Sequence, residues 1–472
     1  MSPALRPFVD NLELPAFALL DDFFLERSES DLAWVVLADL YAALTVTDPL
    51  VPLEGRRPAA VRIRRHSHPL RLTLANSGLT GRFVLAGGAL FVHATENQRR
   101  ALEPIATEAG AAGGEVLSFD RRPDRVGLRR RIYAAGRMAD ALIDRLRKEH
   151  VPFLDEALTR RRFLIGAKSI VHARAAIDRS EPTVVVGASN HGTDARALSR
   201  VAGQAGLPSV YVPHAPLLAR ERLRDVPFDY AAMRGSMETD WYTARGASLD
   251  RIETVGNPGI DAVSERVRPD PANPVVLALS PDGDEMIRAI VSAVGSMHGV
   301  PIIVAPHPRQ DMERLRQVMN PAWTVWAGRT YDLLRTGPSA VVQHSSGVAL
   351  EAMQLGIPCV ELSLFDRPSC YPFMETDLVL HVTAPEFLPS ALEHARQLAG
   401  EHHHRRALER WASSWCVDWG TSAAAAAWRF VRRAADRGVA NEPIWDAWGE
   451  LARRSAPADY ALGRTGDNPA QR

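Results

Sequence analysis

The chain of 472 residues has little lysine, little cysteine and no net charge, and each shortage excludes something. Lysine occurs only as Lys148 and Lys168, so nearly all of the 56 basic residues are arginine, balanced by 56 acidic ones. A formal charge of zero argues against a nucleic-acid binder that works through bulk positive charge. Ala, Gly and Pro are abundant too, so the arginine excess reads as the coding bias of a GC-rich genome and not as a phosphate-site signal. The three cysteines, Cys359, Cys370 and Cys416, include no CxxC pair; a disulfide framework is not expected and a reducing cytoplasm fits. Residues 1–10 lack a basic segment followed by an apolar stretch, so no signal peptide is expected. No uncharged run reaches about 18 apolar residues, and the best candidate, Leu32 to Leu44, contains Asp39, so no membrane span is expected. An apolar fraction of 46% excludes disorder as the dominant state, and the length predicts two or three cores.

What is present is an alternation of strand and helix patterns. Ser30 and Asp31 ahead of Leu32, Val35, Val36, Leu37, Leu40 and Leu44 have helical spacing with a capping start. From residue 82, two short apolar runs, a helix over 96–109 interrupted by Pro104, and a strand over 115–119 follow at short intervals, the pattern of a parallel sheet covered by helices. Residues 129–168 are rich in arginine and mostly helical in pattern; Arg129 to Arg131 and Arg160 to Arg162 read as a solvated helix face before a nucleic-acid patch. Strands are predicted again at 183–186, 209–212, 252–255, 275–279, 302–305, 341–342 and 359–362, mostly as continuous apolar runs, which suits strands buried on both faces. Prolines 258, 269, 271 and 274 mark a linker. The fold class is α/β, with two doubly wound Rossmann-like domains over 1–262 and 273–440 and a C-terminal helix and tail over 441–472. The first domain includes the Arg-rich helical region 125–170. His402 to His404 sit on a helix where neighbouring side chains diverge, which disfavours a metal site.

In open α/β sheets, ligands are held by loops at the carboxyl ends of strands. Neither a GxGxxG nor a Walker loop occurs here, so dehydrogenase and P-loop readings are poor. Four other loops stand out. Gly187 to Asp194, with Asn190 and His191, is small and polar and opens a helix, which suits an anion; it also reads as a plain βα turn. His214, flanked by Pro213 and Pro216 just past a strand, suits a general base for a hydroxyl nucleophile, or a structural histidine bonded to backbone. His307-Pro308-Arg309 repeats the His-Pro theme and adds a planar charged fork for phosphate, or forms a rigid turn with a surface arginine. In the fourth, Ser345, Ser346 and Gly347 open a helix that carries Glu351, and hydroxyls and backbone N–H groups are expected to converge on an anion-sized spot. Glu351 could accept hydrogen bonds from ribose hydroxyls, and Ser345 could equally be a helix N-cap. The one Asp-x-Asp element, Asp282-Gly283-Asp284, falls at a helix start where capping is expected, so no metal and no cofactor is anticipated.

Together, Gly256-Asn257-Pro258-Gly259-Ile260-Asp261, His307-Pro308 and Ser345-Ser346 followed by Glu351-Ala352 resemble the two-domain nucleotide-sugar enzymes of the GT-B fold. The closest likeness is to bacterial sialyl- and polysialyltransferases, Kdo transferases and CDP-glycerol glycerophosphotransferases, and it spans residues 180–400. In those families a His-Pro and a Ser-Ser motif hold the nucleotide phosphate, and the phosphotransferases carry a Gln-His-Gly element where this chain has Val212-Pro213-His214-Ala215. The resemblance implies two domains closing over a cleft. The C-terminal domain would hold a cytidine- or uridine-linked donor through His307, Pro308, Arg309, Ser345, Ser346, Gly347 and Glu351. The N-terminal domain, with Gly187, Asn190 and His191, would present His214 to the acceptor hydroxyl of a glycan or polymer precursor. It further implies a cytoplasmic enzyme in contact with the inner membrane face, with no nucleic-acid partner.

Two other readings fit. The non-hydrolysing UDP-N-acetylglucosamine 2-epimerases share the fold, a Gly-Asn-x-x-Ile-Asp segment and a Ser-Gly-Gly-x-x-Glu-Glu element, of which Ser346, Gly347 and Glu351 stay in register while Val348 and Ala352 depart. A non-catalytic scaffold of the same fold is the other, since fold does not fix function.

Overall fold

Runs of β-branched and aliphatic residues condense into two sheets, each covered by helices on both faces. The computed structural model describes residues 19–46 and 82–444, except 21, 25, 28–29, 112–116, 120–124, 150–155, 219–225, 245, 261–266, 281–283, 296–298, 308–309, 311, 365–370, 418–422 and 441–442. In chain order the first half comprises α1 (Asp31–Val46), β1 (Arg82–Ala86), β2 (Ala89–His93), α2 (Glu96–Ala111), β3 (Leu117–Phe119), α3 (Arg125–Lys148), α4 (Glu156–Ser180) and β4 (Val184–Gly187). It continues with α5 (Thr193–Gln204), β5 (Ser209–Tyr211), β6 (Tyr230–Met233), α6 (Ser236–Thr243) and β7 (Ile252–Thr254).

The seven strands lie in the order β3-β1-β2-β4-β5-β6-β7. From β2 to β7 the pairing is parallel. The sequence pattern predicts parallel strands from residue 82 onward, but β1 and β2 form an antiparallel hairpin and β3 pairs antiparallel with β1. The reason is local: Gly87 and Gly88 have φ of +57° and +79°, the left-handed geometry of a two-residue hairpin turn. The chain leaves β2 toward β3 and leaves β4 toward β5, so the topological switch of this sheet falls between β2 and β4.

The second half comprises β8 (Val275–Ala278), α7 (Asp284–Gly295), β9 (Ile302–Ala305), α8 (Met312–Val318), β10 (Thr324–Val325), α9 (Thr330–Leu334), β11 (Ala340–Gln343) and α10 (Val348–Gln354). Then come β12 (Cys359–Leu362), β13 (Leu380–Val382), α11 (Leu388–Gly400), α12 (His402–Trp415) and α13 (Ala423–Arg437). The order β10-β9-β8-β11-β12-β13, parallel throughout, is the doubly wound 3-2-1-4-5-6 arrangement. Its switch point lies between β8 and β11. Strands β6, β10 and β13 escape the sequence reading because their runs are short and carry ordinary residues.

Val184, Val185 and Val186 are at most 1% exposed, as are Val275, Val276 and Leu277, so both central strands are buried on both faces. Each such side chain contributes about 1.5–3 kcal/mol of burial. Helix α13 belongs with the first sheet, not with the second half that contains it in sequence. Ala424, Ala427, Trp428, Phe430 and Val431 join Val184, Val186 and Tyr230 in one core. Trp428 lies over the hairpin turn, where a Cβ on Gly87 would come within 2.9 Å of its ring. The crossing is tight at the end of α12: a Cβ on Gly235 would lie 2.2 Å from the Trp415 carbonyl carbon. Val417 N–H donates to the Arg234 carbonyl there (2.9 Å).

The arginine-rich stretch is two packed helices, α3 and α4, with their charges on the solvated side. Arg160 pairs with Asp140 and Glu156, and Arg147 with Asp144 and Glu156. Trp411 and Trp415 pack edge to face, with centroids 6.3 Å apart, and Trp419 lies outside the described residues. No helix among the described residues is long and apolar enough to cross a membrane.

Candidate functional site

Three of the four chosen loops, those after β4, β5 and β11, are brought into contact, and the His307 loop is not seen to touch them among the described residues. At the first sheet, β4 ends in Gly187 and the loop Ala188–Gly192 follows. A Cβ on Gly187 would lie 2.8 Å from the Phe228 ring and 3.2 Å from Ala195 Cβ, so glycine is required here by packing under the loop. Ser189 Oγ accepts the Gly192 N–H (2.8 Å), and His191 Nδ1 is 3.1 Å from Asn190 Oδ1. Arg196, completely buried, holds the loop from below: it donates to the Asn190 carbonyl and, through two nitrogens, to the Trp34 carbonyl on α1. Sequence reasoning misses Arg196 and Trp34, because nothing in their spacing ties residue 34 to residue 196.

His214 follows β5 and is fixed against the same loop. Its backbone N–H and ring Nδ1 both reach the Ala188 carbonyl. A carbonyl can only accept, so Nδ1 carries the proton and Nε2 keeps its lone pair, the tautomer that a general base needs. Burial pushes the His214 pKa down to about 4, opposed by the Ala188 bond and assisted by His191 and Arg234. The expectation of a pKa near neutrality therefore fails, since the site is drier than a strand end suggests. His191 is likewise lowered to about 4 by burial and by Arg196.

Beyond His214 the loop is clamped by a carboxylate that the sequence does not single out. Glu238, 1% exposed, accepts the Leu217 N–H (3.2 Å) and the Arg234 N–H (3.1 Å) and forms an ion pair with the Arg234 guanidinium.

In the second sheet, His307 stands past the end of β9, where its carbonyl accepts the Gln310 N–H (2.8 Å) in a tight turn. Pro308 and Arg309 lie outside the described residues. Ser345, Ser346 and Gly347 form the turn after β11 at the switch point, and Ser280, just past β8, donates to the His344 carbonyl (2.8 Å). The backbone amides do not converge on an anion spot as expected. Ser345 N–H is taken by Glu361 Oε1 (2.9 Å) and Ser346 N–H by Gln343 Oε1 (2.6 Å). Gly347, not Ser345, is the N-cap residue of α10, and Ser346 Oγ accepts the Val348 N–H (3.4 Å).

The two halves meet at these loops. A Cβ on Gly347 would lie 3.0 Å from Pro216 Cδ, so the Ser-Ser-Gly turn sits directly against the proline that follows His214. Nearby, Gly259 of the linker threads between Arg329, which donates to its carbonyl (3.1 Å), and the backbone of Arg100 on α2. Burial raises the Glu351 pKa to about 7, against the pull of Arg329, Arg234 and Arg100. Cationic groups from both halves thus pull electrostatically on one carboxylate. These three arginines are functional candidates that sequence reasoning misses; among so many arginines, only the fold singles them out.

The geometry defines an α/β protein of two doubly wound sheets whose loops after β5 and β11 touch through Pro216 and Gly347. No protein-family model and no curated protein matches the chain. Similar solved structures include the UDP-GlcNAc 2-epimerase of Methanocaldococcus jannaschii, in complex with UDP-GlcNAc and UDP. It is 19% identical over 57% of this chain and 81% of that one, with a TM-score of 0.43. The lipopolysaccharide outer core galactosyltransferase WaaB is 16% identical over 58% of this chain and 81% of its own, with a TM-score of 0.37. A calicheamicin glycosyltransferase is 16% identical over 60% and 84%, with a TM-score of 0.40.

Proposed function

We propose that this chain is a glycosyltransferase that moves a sugar, or a sugar-like polyol phosphate, from a cytidine- or uridine-linked donor to a hydroxyl of a glycan or polymer precursor. The observation that carries this reading is the contact of the His214 loop with the Ser345–Gly347 turn through Pro216. A group-transfer enzyme needs a base and a leaving-group site within one crevice, and this contact joins the two candidates.

In this reading His214 Nε2 takes the proton of the acceptor hydroxyl as it attacks. The imidazole is neutral at pH 7 because burial disfavours its charged form. The Ser345 and Ser346 hydroxyls, with Arg100 and Arg329, face the departing phosphate and offset its growing charge. Preorganised cations and hydroxyl donors can do this in place of a metal ion. His307, past the end of β9, is the candidate of the second sheet for the donor side.

The test begins with thermal-shift binding of CMP, CDP, UDP, GDP and NAD, with His307→Ala as control, followed by turnover of sugar nucleotides by wild type and His214→Ala. A selective cytidine or uridine shift that weakens in the control supports the donor site. Near-normal turnover by a folded His214→Ala variant refutes the base assignment, and no shift with any nucleotide refutes the whole reading. One observation favours a second reading, an epimerase: Glu351 titrates near neutrality, as an acid/base carboxylate would. Conversion of a UDP-sugar in the absence of acceptor separates the two.

A further inference from the structure

The turn that presents Ser345 and Ser346 is held by buried side chains from three neighbouring strand ends. Ser345 has φ of +45°, one of two non-glycine residues in the left-handed region among the described residues, and such a conformation persists only where its surroundings impose it. Three strands impose it. Ser280, beyond β8, fixes the His344 carbonyl (2.8 Å). Gln343 on β11 and Glu361 on β12 face each other in register, and both are 0% exposed. Glu361 Oε1 accepts the Ser345 N–H, Gln343 Oε1 accepts the Ser346 N–H, and Gln343 Nε2 donates to Glu361 Oε2. The amide orientation of Gln343 follows from these partners, since an N–H can face only an oxygen.

We propose that Gln343 and Glu361 are positioning residues for the donor: an isosteric donor–acceptor pair that fixes two consecutive amides and so aims the Ser345 and Ser346 hydroxyls at the leaving group. This rests on the glycosyltransferase reading given above. The network has a property that a generic buried polar pair lacks. Exchanging the two side chains preserves each of these bonds. A carboxylate at position 343 would accept the Ser346 N–H and the amide N–H from position 361, whose amide oxygen would accept the Ser345 N–H. Either single change breaks the network. Glu361→Gln leaves one buried donor facing another whichever way the amides turn, and Gln343→Glu sets two carboxylates face to face.

The experiment compares wild type, Glu361→Gln, Gln343→Glu and the exchanged double variant. Two readouts are used: the affinity for CDP and UDP, and hydrogen exchange in a peptide spanning residues 343–348. One unsatisfied buried hydrogen bond corresponds to about a tenfold loss of nucleotide affinity in each single variant. The exchanged variant is expected to return to within about threefold of wild type, with turn protection restored. An exchanged variant that folds and binds where the singles fail to accumulate supports the proposal equally. Singles with wild-type affinity and protection, or an exchanged variant as impaired as they are, overturn the proposal. If wild type itself binds no nucleotide, the glycosyltransferase reading fails, and positioning for a donor fails with it. Turn protection lost in the singles and regained on exchange would then still establish the pair as the clamp of the turn.

Discussion

The protonation of His214 links the stability of the first sheet to the proposed chemistry. Its pKa falls from an ordinary 6.5 to about 4, chiefly through burial, so the unfolded chain binds a proton that the folded chain refuses between those values. The sign follows: the contribution to stability is intact above pH 6.5 and is lost as pH falls toward 4. At about 1.4 kcal/mol per pH unit the full gap is about 3 kcal/mol. Between pH 7.5 and 5.5 it amounts to about 1.3 kcal/mol, because the unfolded imidazole is then mostly charged. His172 and His191 are also lowered to about 4 by burial, so the three histidines together cost about 4 kcal/mol over that interval, of which Glu351, raised to about 7, returns about 2 kcal/mol. The perturbation is His214→Asn, whose amide can donate to the Ala188 carbonyl as Nδ1 does but cannot titrate. Urea unfolding at the two pH values should show the variant losing about 1.3 kcal/mol less stability than wild type. In the enzyme, as far as His214 governs the rate, turnover should stay level from pH 7.5 to 5.5 and fall only near pH 4. An equal acid loss in variant and wild type, or an inflection of the rate at pH 6.5 abolished by the substitution, would refute the reasoning.

Four other outcomes are expected. Glu238→Gln leaves the Arg234 charge buried without its partner and should cost about 3 kcal/mol in urea unfolding; a loss below about 1 kcal/mol would show that the pair is not a clamp. Ser345→Gly relieves the left-handed backbone and should hold or raise stability by up to about 1 kcal/mol while weakening nucleotide binding, so melting and affinity move in opposite directions. Gly347→Ala brings a methyl to 3.0 Å from Pro216, and should lower turnover about tenfold with little change in melting; wild-type turnover would show that this contact is not part of the working state. Chelation with EDTA should leave sugar-nucleotide turnover unchanged, and restoration of lost activity by a divalent cation would contradict the metal-independent mechanism.

The sequence by itself determined the alternation of elements. Continuous apolar strands such as Val184–Val186 and Val275–Leu277 declare burial on both faces, and glycine and proline mark where the chain turns. It also located the polar loops at strand ends, including those of His214, His307 and Ser345, because small, polar and proline-flanked residues stand out after an apolar run. Strand direction was decided locally at Gly87-Gly88, but the antiparallel pairing became evident only with the partner strand in place. The return of α13 to the first sheet could not be read, since an amphipathic helix shows that it has an apolar face and not which sheet it covers. The remaining site features are products of tertiary structure alone. Arg100, Arg234 and Arg329 are three arginines among many until folding brings them within electrostatic reach of Glu351. Glu238 and Glu361 look like ordinary acidic residues until folding buries each against the particular amides whose hydrogen bonds it accepts. Spacing along a chain encodes which face of an element a residue occupies; which distant residue it meets, and how dry that meeting place is, depends on how the layers pack.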